Sequence, residues 1–327
     1  MTEGRTGAYG PDDDIVDFIL GITYEIWEER GVELIHQYYA EDCIVWGLDG
    51  ITHGAREVVD ATWATLAAFP DRRLIAEDVI WSGNRQEGYY TSHRLLSRGT
   101  NEGPTIYGPP TGNPIRMTNI ADCYIEDGLI TKEWLIRDSM MFATQLGADP
   151  IEAARDMRSK RSDEHQDWLD GEHARVSAAS PTASGAESPE QDPTAFAWRT
   201  LQGLWTGDKA LVDASYAPYC VLHRSPFDHH SGRDALFAYY QDLRKVLGDT
   251  RFSVDHIAVQ SSDSNGTDIA VRWTVAGIHE GELRGVKPTG KPVYILGATH
   301  WRCIAGRIAV EVTVFDDLAV LSQVVDA

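Results

Sequence analysis

A chain of 327 residues is long enough for two domains, and its 43% hydrophobic and 24% charged residues describe a globular protein with a sizeable core. The formal net charge of −21 repels phosphate backbones and anionic bilayers, so neither nucleic acid nor a membrane is an expected partner. Cys43, Cys123, Cys220 and Cys303 lie far apart with no C-x-x-C spacing. This argues against a zinc ribbon or a disulfide framework and for a reducing compartment. Met1 to Asp14 carries no apolar h-region, and no apolar run approaches the ~20 residues a membrane helix needs, so a cytoplasmic location is expected.

The first predicted element is an amphipathic helix from Asp14 to Glu29, with Ile15, Phe18, Ile19, Ile22 and Ile26 at helical spacing. A short helix then leads to Tyr39-Ala40 and a strand from Cys43 to Trp46, followed by a helix from Arg56 to Ala68. Four strand-like segments complete the copy, with turns at Gly83-Asn84, Thr111-Gly112 and Asp127-Gly128, the last a strong two-residue hairpin signal. Asp149 to Val176, rich in charge and alanine, reads as a solvated helix, and Ser177 to Asp192 as a flexible linker. The series then begins again: a helix carrying Phe196, Thr200, Leu201, Leu204 and Trp205, a strand from Cys220 to His223, a helix from Asp234 to Leu247, and further strands. Helices followed by an antiparallel sheet, without βαβ alternation, predict an α+β fold and no doubly wound nucleotide site.

This recurrence is a duplication. Offset by 178 residues, 16 of the 85 positions from Gly54 to Asp138 are identical in the second copy, and they cluster. Gly99-x-x-Glu102-Gly103 matches Gly277-x-x-Glu280-Gly281, and Pro110-Thr111-Gly112-x-Pro114 matches Pro288-Thr289-Gly290-x-Pro292. Gly128-x-Ile130-x-x-Glu133-x-x-x-x-Asp138 matches Gly306-x-Ile308-x-x-Glu311-x-x-x-x-Asp316. One residue out of step, Tyr39-Ala40-x-x-Cys43 in its turn matches Tyr216-Ala217-x-x-Cys220. The expected domains are 12–148 and 193–327, with the charged helix and linker at 149–192.

These motifs, with Glu126-Asp127-Gly128 through Asp138 and Gln145-Leu146-Gly147, resemble the SnoaL-like polyketide cyclase family of the nuclear-transport-factor-two-like superfamily. The resemblance implies two tandem cone-shaped α+β barrel domains, each with helices packed on a curved antiparallel sheet around a pocket. Members of that superfamily include cyclases, isomerases, hydrolases, dehydratases and plain binding modules, so function has to come from the site.

Asp138 is the leading candidate. It sits near the end of an otherwise apolar strand read from Glu133 to Met141, and pairing about Asp127-Gly128 puts Asp138, Ile136 and Trp134 on one face with Met117, Asn119 and Ala121. Glu133, Leu135 and Arg137 then point the other way. A carboxyl among apolar neighbours has a raised pKa suited to proton transfer near neutral pH. The resemblance likewise implies that Asp138 is the general acid/base. His93 and Asn119 are candidate partners, and Trp46, Tyr107 and Trp134 are candidate pocket walls. In the second copy Asp316 takes the place of Asp138, with Val314 and Thr299 beside it, and Gly297 replaces Asn119. His223, His279 and Arg272 are candidate substrate contacts there, together with His300 as a further polar addition. The histidine spacings match no metal-ligand motif, so no metal is expected, and no cofactor is expected either.

Two functions remain open. One is a cofactor-free cyclase, isomerase or hydrolase with an aspartate general acid/base acting on a small apolar carbonyl or ester substrate. The other is a non-catalytic ligand-binding or scaffold protein, an internal pseudo-dimer joined through Leu135, Thr313 and Phe315, with a homodimer also open.

Overall fold

The computed structural model describes residues 14–179, 188–262 and 266–326. Residues 180–187, half of the segment expected to be a flexible linker, and residues 1–13 of the acidic N-terminal stretch lie outside them. The chain divides into two compact units, Met1–Ala153 and Ala154–Ala327.

In the first unit α1 (Ile15–Trp27) is capped by Asp14, whose carboxylate accepts from the Val16 and Asp17 amides. It buries Ile15, Phe18, Ile19, Ile22 and Ile26. Then follow α2 (Ile35–Tyr38), β1 (Tyr39–Gly47), β2 (Gly50–His53), α3 (Gly54–Ala68), β3 (Arg73–Asn84), β4 (Gly88–Thr100), β5 (Pro114–Glu126), β6 (Leu129–Arg137) and α4 (Ser139–Gln145). The six strands form one sheet in the order β2-β1-β6-β5-β4-β3. Its two ends do not meet, so it is an open sheet and no closed barrel, and it is not wholly antiparallel because β1 runs parallel to β6.

Next come α5 (Pro150–Ser159) and α6 (Asp163–Ser177). The charged segment is therefore two helices, and α6 is not solvated all round: His165, Leu169 and Val176 are buried. It packs against the sheet of its own unit. That unit repeats the pattern with α7 (Pro193–Thr206), α8 (Lys209–Ser215), β7 (Tyr216–Ser225), β8 (Asp228–Ser231), α9 (Arg233–Leu247), β9 (Arg251–Ser262), β10 (Gly266–Ile278), β11 (Pro292–Ile304), β12 (Arg307–Phe315) and α10 (Asp317–Val324). The sheet order is β8-β7-β12-β11-β10-β9, with β7 parallel to β12.

One detail of the β5–β6 hairpin decides which side chains face inward. Asp127 and Gly128 both adopt positive φ (50° and 83°), as the two-residue turn requires. Glu126 pairs with Leu129 and Ile125 with Ile130, as expected, but Thr131 is then extra. From Tyr124–Lys132 onward the register is shifted by one residue, so Cys123 faces Glu133, Ala121 faces Leu135 and Asn119 faces Arg137. A one-residue slip exchanges the two faces of a strand. The expected placement of Trp134, Ile136 and Asp138 beside Asn119 and Ala121 is therefore corrected: Glu133, Leu135 and Arg137 share their side. The second unit has the same bulge at Ala309, giving Trp301–Glu311, Thr299–Thr313 and Gly297–Phe315. Val314 is correspondingly off the face that carries Thr299.

Candidate active site

Between α1, α3 and the inner face of the first sheet lies a cavity of about 230 Å³. Its walls are largely apolar, from Ile19, Ile22, Ile26, Ile35, Val45 and Leu95. Into it open Tyr39, His93, Asn119 and Glu133, with Arg72 and Arg137 at one side. A second chamber, lined by Phe69, Ile106, Tyr107, Met117 and Phe142, shares Thr65, Arg72 and Arg137 with the first. The two chambers meet at those three residues.

Glu133 is the buried carboxyl of this cavity, 6% exposed at the middle of β6. The Tyr39 hydroxyl donates to its Oε2 at 2.8 Å. Burial raises the Glu133 pKa, while the Tyr39 hydrogen bond and the charge of Arg137 pull it back. Burial also raises Tyr39, reinforced by the neighbouring carboxylate. The adjacent thiols are held protonated: burial and then Glu133 push Cys43 up to about 11, and Cys123 is raised for the same reasons. They are unsuited to act as thiolate nucleophiles. Arg137 pairs with Asp49 through Nη2 at 2.9 Å. Asn119, 3% exposed, has a buried amide oxygen with no hydrogen-bond partner among the described residues.

Of the residues singled out in sequence, the structure brings His93 and Asn119 together in the inner chamber and Tyr107 into the outer one. Asp138 lines neither. It follows the last strand residue and caps α4, its Oδ1 accepting from the Met141 amide at 3.0 Å. Asp316 caps α10 through the Ala319 amide at 2.9 Å. Trp46 and Trp134 lie on the opposite face of the sheet, where their rings stack with centroids 5.1 Å apart. His279 holds the Pro-Thr-Gly turn, its Nδ1 accepting from the Thr289 amide at 3.2 Å, as Asn101 Oδ1 does for Thr111 at 2.8 Å. His223 lies on β7 with its ring 6.1 Å from His229, and Arg272 is buried on β10. Leu135 lines the cavity, and Thr313 and Phe315 are buried. Among the described residues no three His, Cys, Asp or Glu side chains converge as a metal site would need.

Tyr39, Arg72, Glu133 and Arg137 were not recognised from sequence as site residues. The Tyr and the Glu were nevertheless in plain view, because both recur in the second copy as Tyr216 and Glu311.

Comparison with known families gives the same two-fold division: the SnoaL-like polyketide cyclase model matches residues 18–146 and again 197–324. The chain belongs to the SnoaL-like polyketide cyclase family. Similar solved structures each span one copy. A SnoaL-like protein from Jannaschia sp. CCS1 is 16% identical, with a TM-score of 0.37 over 44% of this chain and 96% of its own. IdmH from Streptomyces antibioticus is 26% identical, with a TM-score of 0.35 over 40% of this chain and 97% of its own. TsrD from Streptomyces laurentii is 17% identical, with a TM-score of 0.36 over 40% and 93%. No curated protein matches the chain. Among the described residues no helix is long and apolar enough to cross a membrane.

The two SnoaL-like copies differ most where the cavity lies. In the second, Tyr240 stands for Thr62, Trp273 for Leu95, Trp301 for Cys123 and Phe315 for Arg137, all of them buried. Gly297 in place of Asn119 admits the Trp273 ring: a Cβ there would sit 2.3 Å from Trp273 Cζ2. Val271 and Thr250 replace His93 and Arg72. Glu311 persists, 0% exposed, but it accepts from Tyr216, Tyr240 at 2.6 Å, Trp301 at 2.9 Å and Thr313 at 2.6 Å. The same carboxylate that faces a cavity in one copy is enclosed by donors in the other.

Proposed function

We propose that the first unit is a cyclase- or isomerase-type enzyme acting on a small apolar substrate with a carbonyl or ester, and that Glu133 is its general acid/base. The observation that carries this reading is a buried carboxyl of raised pKa facing an apolar cavity, oriented by the Tyr39 hydroxyl and flanked by His93 and Asn119. Ionised Glu133 takes a proton from the carbon beside a substrate carbonyl, and the electron pair moves onto the carbonyl oxygen. The Asn119 amide and the Arg137 charge stabilise that oxyanion. The enolate then attacks a second carbonyl carbon of the same molecule, and Glu133 returns its proton to the new alkoxide. In an isomerisation the proton is returned to a different carbon instead. The second unit, with its cavity filled, is read as non-catalytic.

The test starts from carbonyl and ester compounds that raise the thermal midpoint of the protein, each followed for turnover. Glu133→Gln is expected to keep binding and to lose turnover by about 100-fold or more. Asp138→Ala is expected to lose about 1 kcal/mol of stability with its helix cap and to keep turnover. The reverse pattern, an active Glu133→Gln and a folded but inactive Asp138→Ala, would return the role to the aspartate.

A further inference from the structure

Arg72 is a buried cation lining the cavity that the proposed chemistry does not use. It is 9% exposed, and its guanidinium lies over the Trp27 ring at 4.8 Å. Among the described residues it has no carboxylate partner, and its Nε is buried without an acceptor. A buried charge is ordinarily paired. Burial, and after it the charge of another cation, Arg137, lower its pKa to about 9. Arg137 pairs with Asp49, and Arg72 stands beside them at the junction of the two chambers. Glu133 lies beyond Arg137, whose charge it feels, and Arg72 does not figure among the influences on it. In the filled copy both arginines are gone: Thr250 donates to the Trp205 carbonyl, and Phe315 is packed against Trp273. Of the two equivalent positions, the one that lines the cavity holds a cation and the other holds Thr250.

We propose that Arg72 binds the carboxylate of an elongated, otherwise apolar substrate, holding it at the junction of the chambers while the remainder reaches toward Glu133. The single uncompensated charge suits a monoanion. The outer walls of Phe69, Ile106 and Phe142 are apolar and suit the uncharged remainder of such a molecule. A guanidinium carried over an indole ring can still turn its N–H edge outward as a fork, which a carboxylate meets with two parallel hydrogen bonds. This inference rests on the cavity being the substrate site, though not on the role of Glu133.

The experiment is calorimetric titration of the full chain with 2-naphthoate and with the isosteric neutral 2-naphthamide. The wild type is expected to favour the carboxylate by about tenfold or more, a difference of about 1.4 kcal/mol. Arg72→Gln is expected to abolish the preference while still binding the amide, and Arg72→Lys to restore part of it. Equal affinity for the two compounds in the wild type overturns the proposal without recourse to any variant, and so does a preference that survives in Arg72→Gln. Glu133→Gln separates the two readings, because it is expected to keep the preference for naphthoate. A Glu133→Gln protein that keeps both preference and turnover overturns the acid/base reading alone.

Discussion

Glu133 and Glu311 occupy the same place in two copies of one fold, and their surroundings give them different chemistry. Four donors enclose Glu311, whereas for Glu133 Tyr39 is the hydrogen-bond donor and burial outweighs that bond together with the charge of Arg137. Its folded pKa is therefore above the ordinary value of 4.5. A carboxyl raised in this way favours folding in its protonated form: the contribution is present below the unfolded pKa and is lost as pH rises through the folded one. Glu133→Gln should accordingly unfold at a higher temperature than the wild type at pH 8, with the gain shrinking toward pH 4. Thermal scans at the two pH values check this, and a gain independent of pH would contradict the shift.

At the scale of elements, the helices, the strands and the tight hairpin turn were legible because each has a local cause: helical spacing in α1, alternation in the strands and Asp127-Gly128 at the turn. The bulge at Thr131 was not. A β-bulge needs no special residue type, and its effect is non-local, since it exchanges the faces of everything that follows on β6. That one extra residue turns Glu133 and Arg137, rather than Trp134, toward the face that carries Asn119. The start of α4 did carry a readable sign, an aspartate before Ser139-Met140-Met141, which marks a helix cap. Asn119, His93 and Tyr107, named from sequence, line the two chambers, and none of them lies on the part of β6 that follows the bulge. α6 was read as solvated from its composition, yet Leu169 is 3% exposed within the second unit. Leu169→Ala should destabilise that unit by about 2–5 kcal/mol, measurable by denaturant titration. A solvated helix would lose almost nothing.

At the scale of the whole molecule, the duplication has kept one framework and used its interior in two ways. Polar residues around an open space in the first unit, His93, Asn119, Arg72 and Arg137, become Val271, Gly297, Thr250 and Phe315 in the second, and the vacated volume is taken by indole and phenol rings. The exchange depends on the closeness of Gly297 to Trp273. Gly297→Ala should cost about 1–3 kcal/mol through overpacking, seen as a lower denaturant midpoint for the second unit with no change in the first. An equal loss in both units would mean that the two cores do not respond separately.

A protein that leaves a chamber in one copy where the other copy places aromatic rings also carries its own internal standard for compression. Hydrostatic pressure favours unfolding in proportion to the void volume that unfolding eliminates, and the 230 Å³ chamber belongs to the first unit. Squeezed rather than heated, the chain would yield first around Glu133, and a molecule seated in the chamber would take away much of that difference.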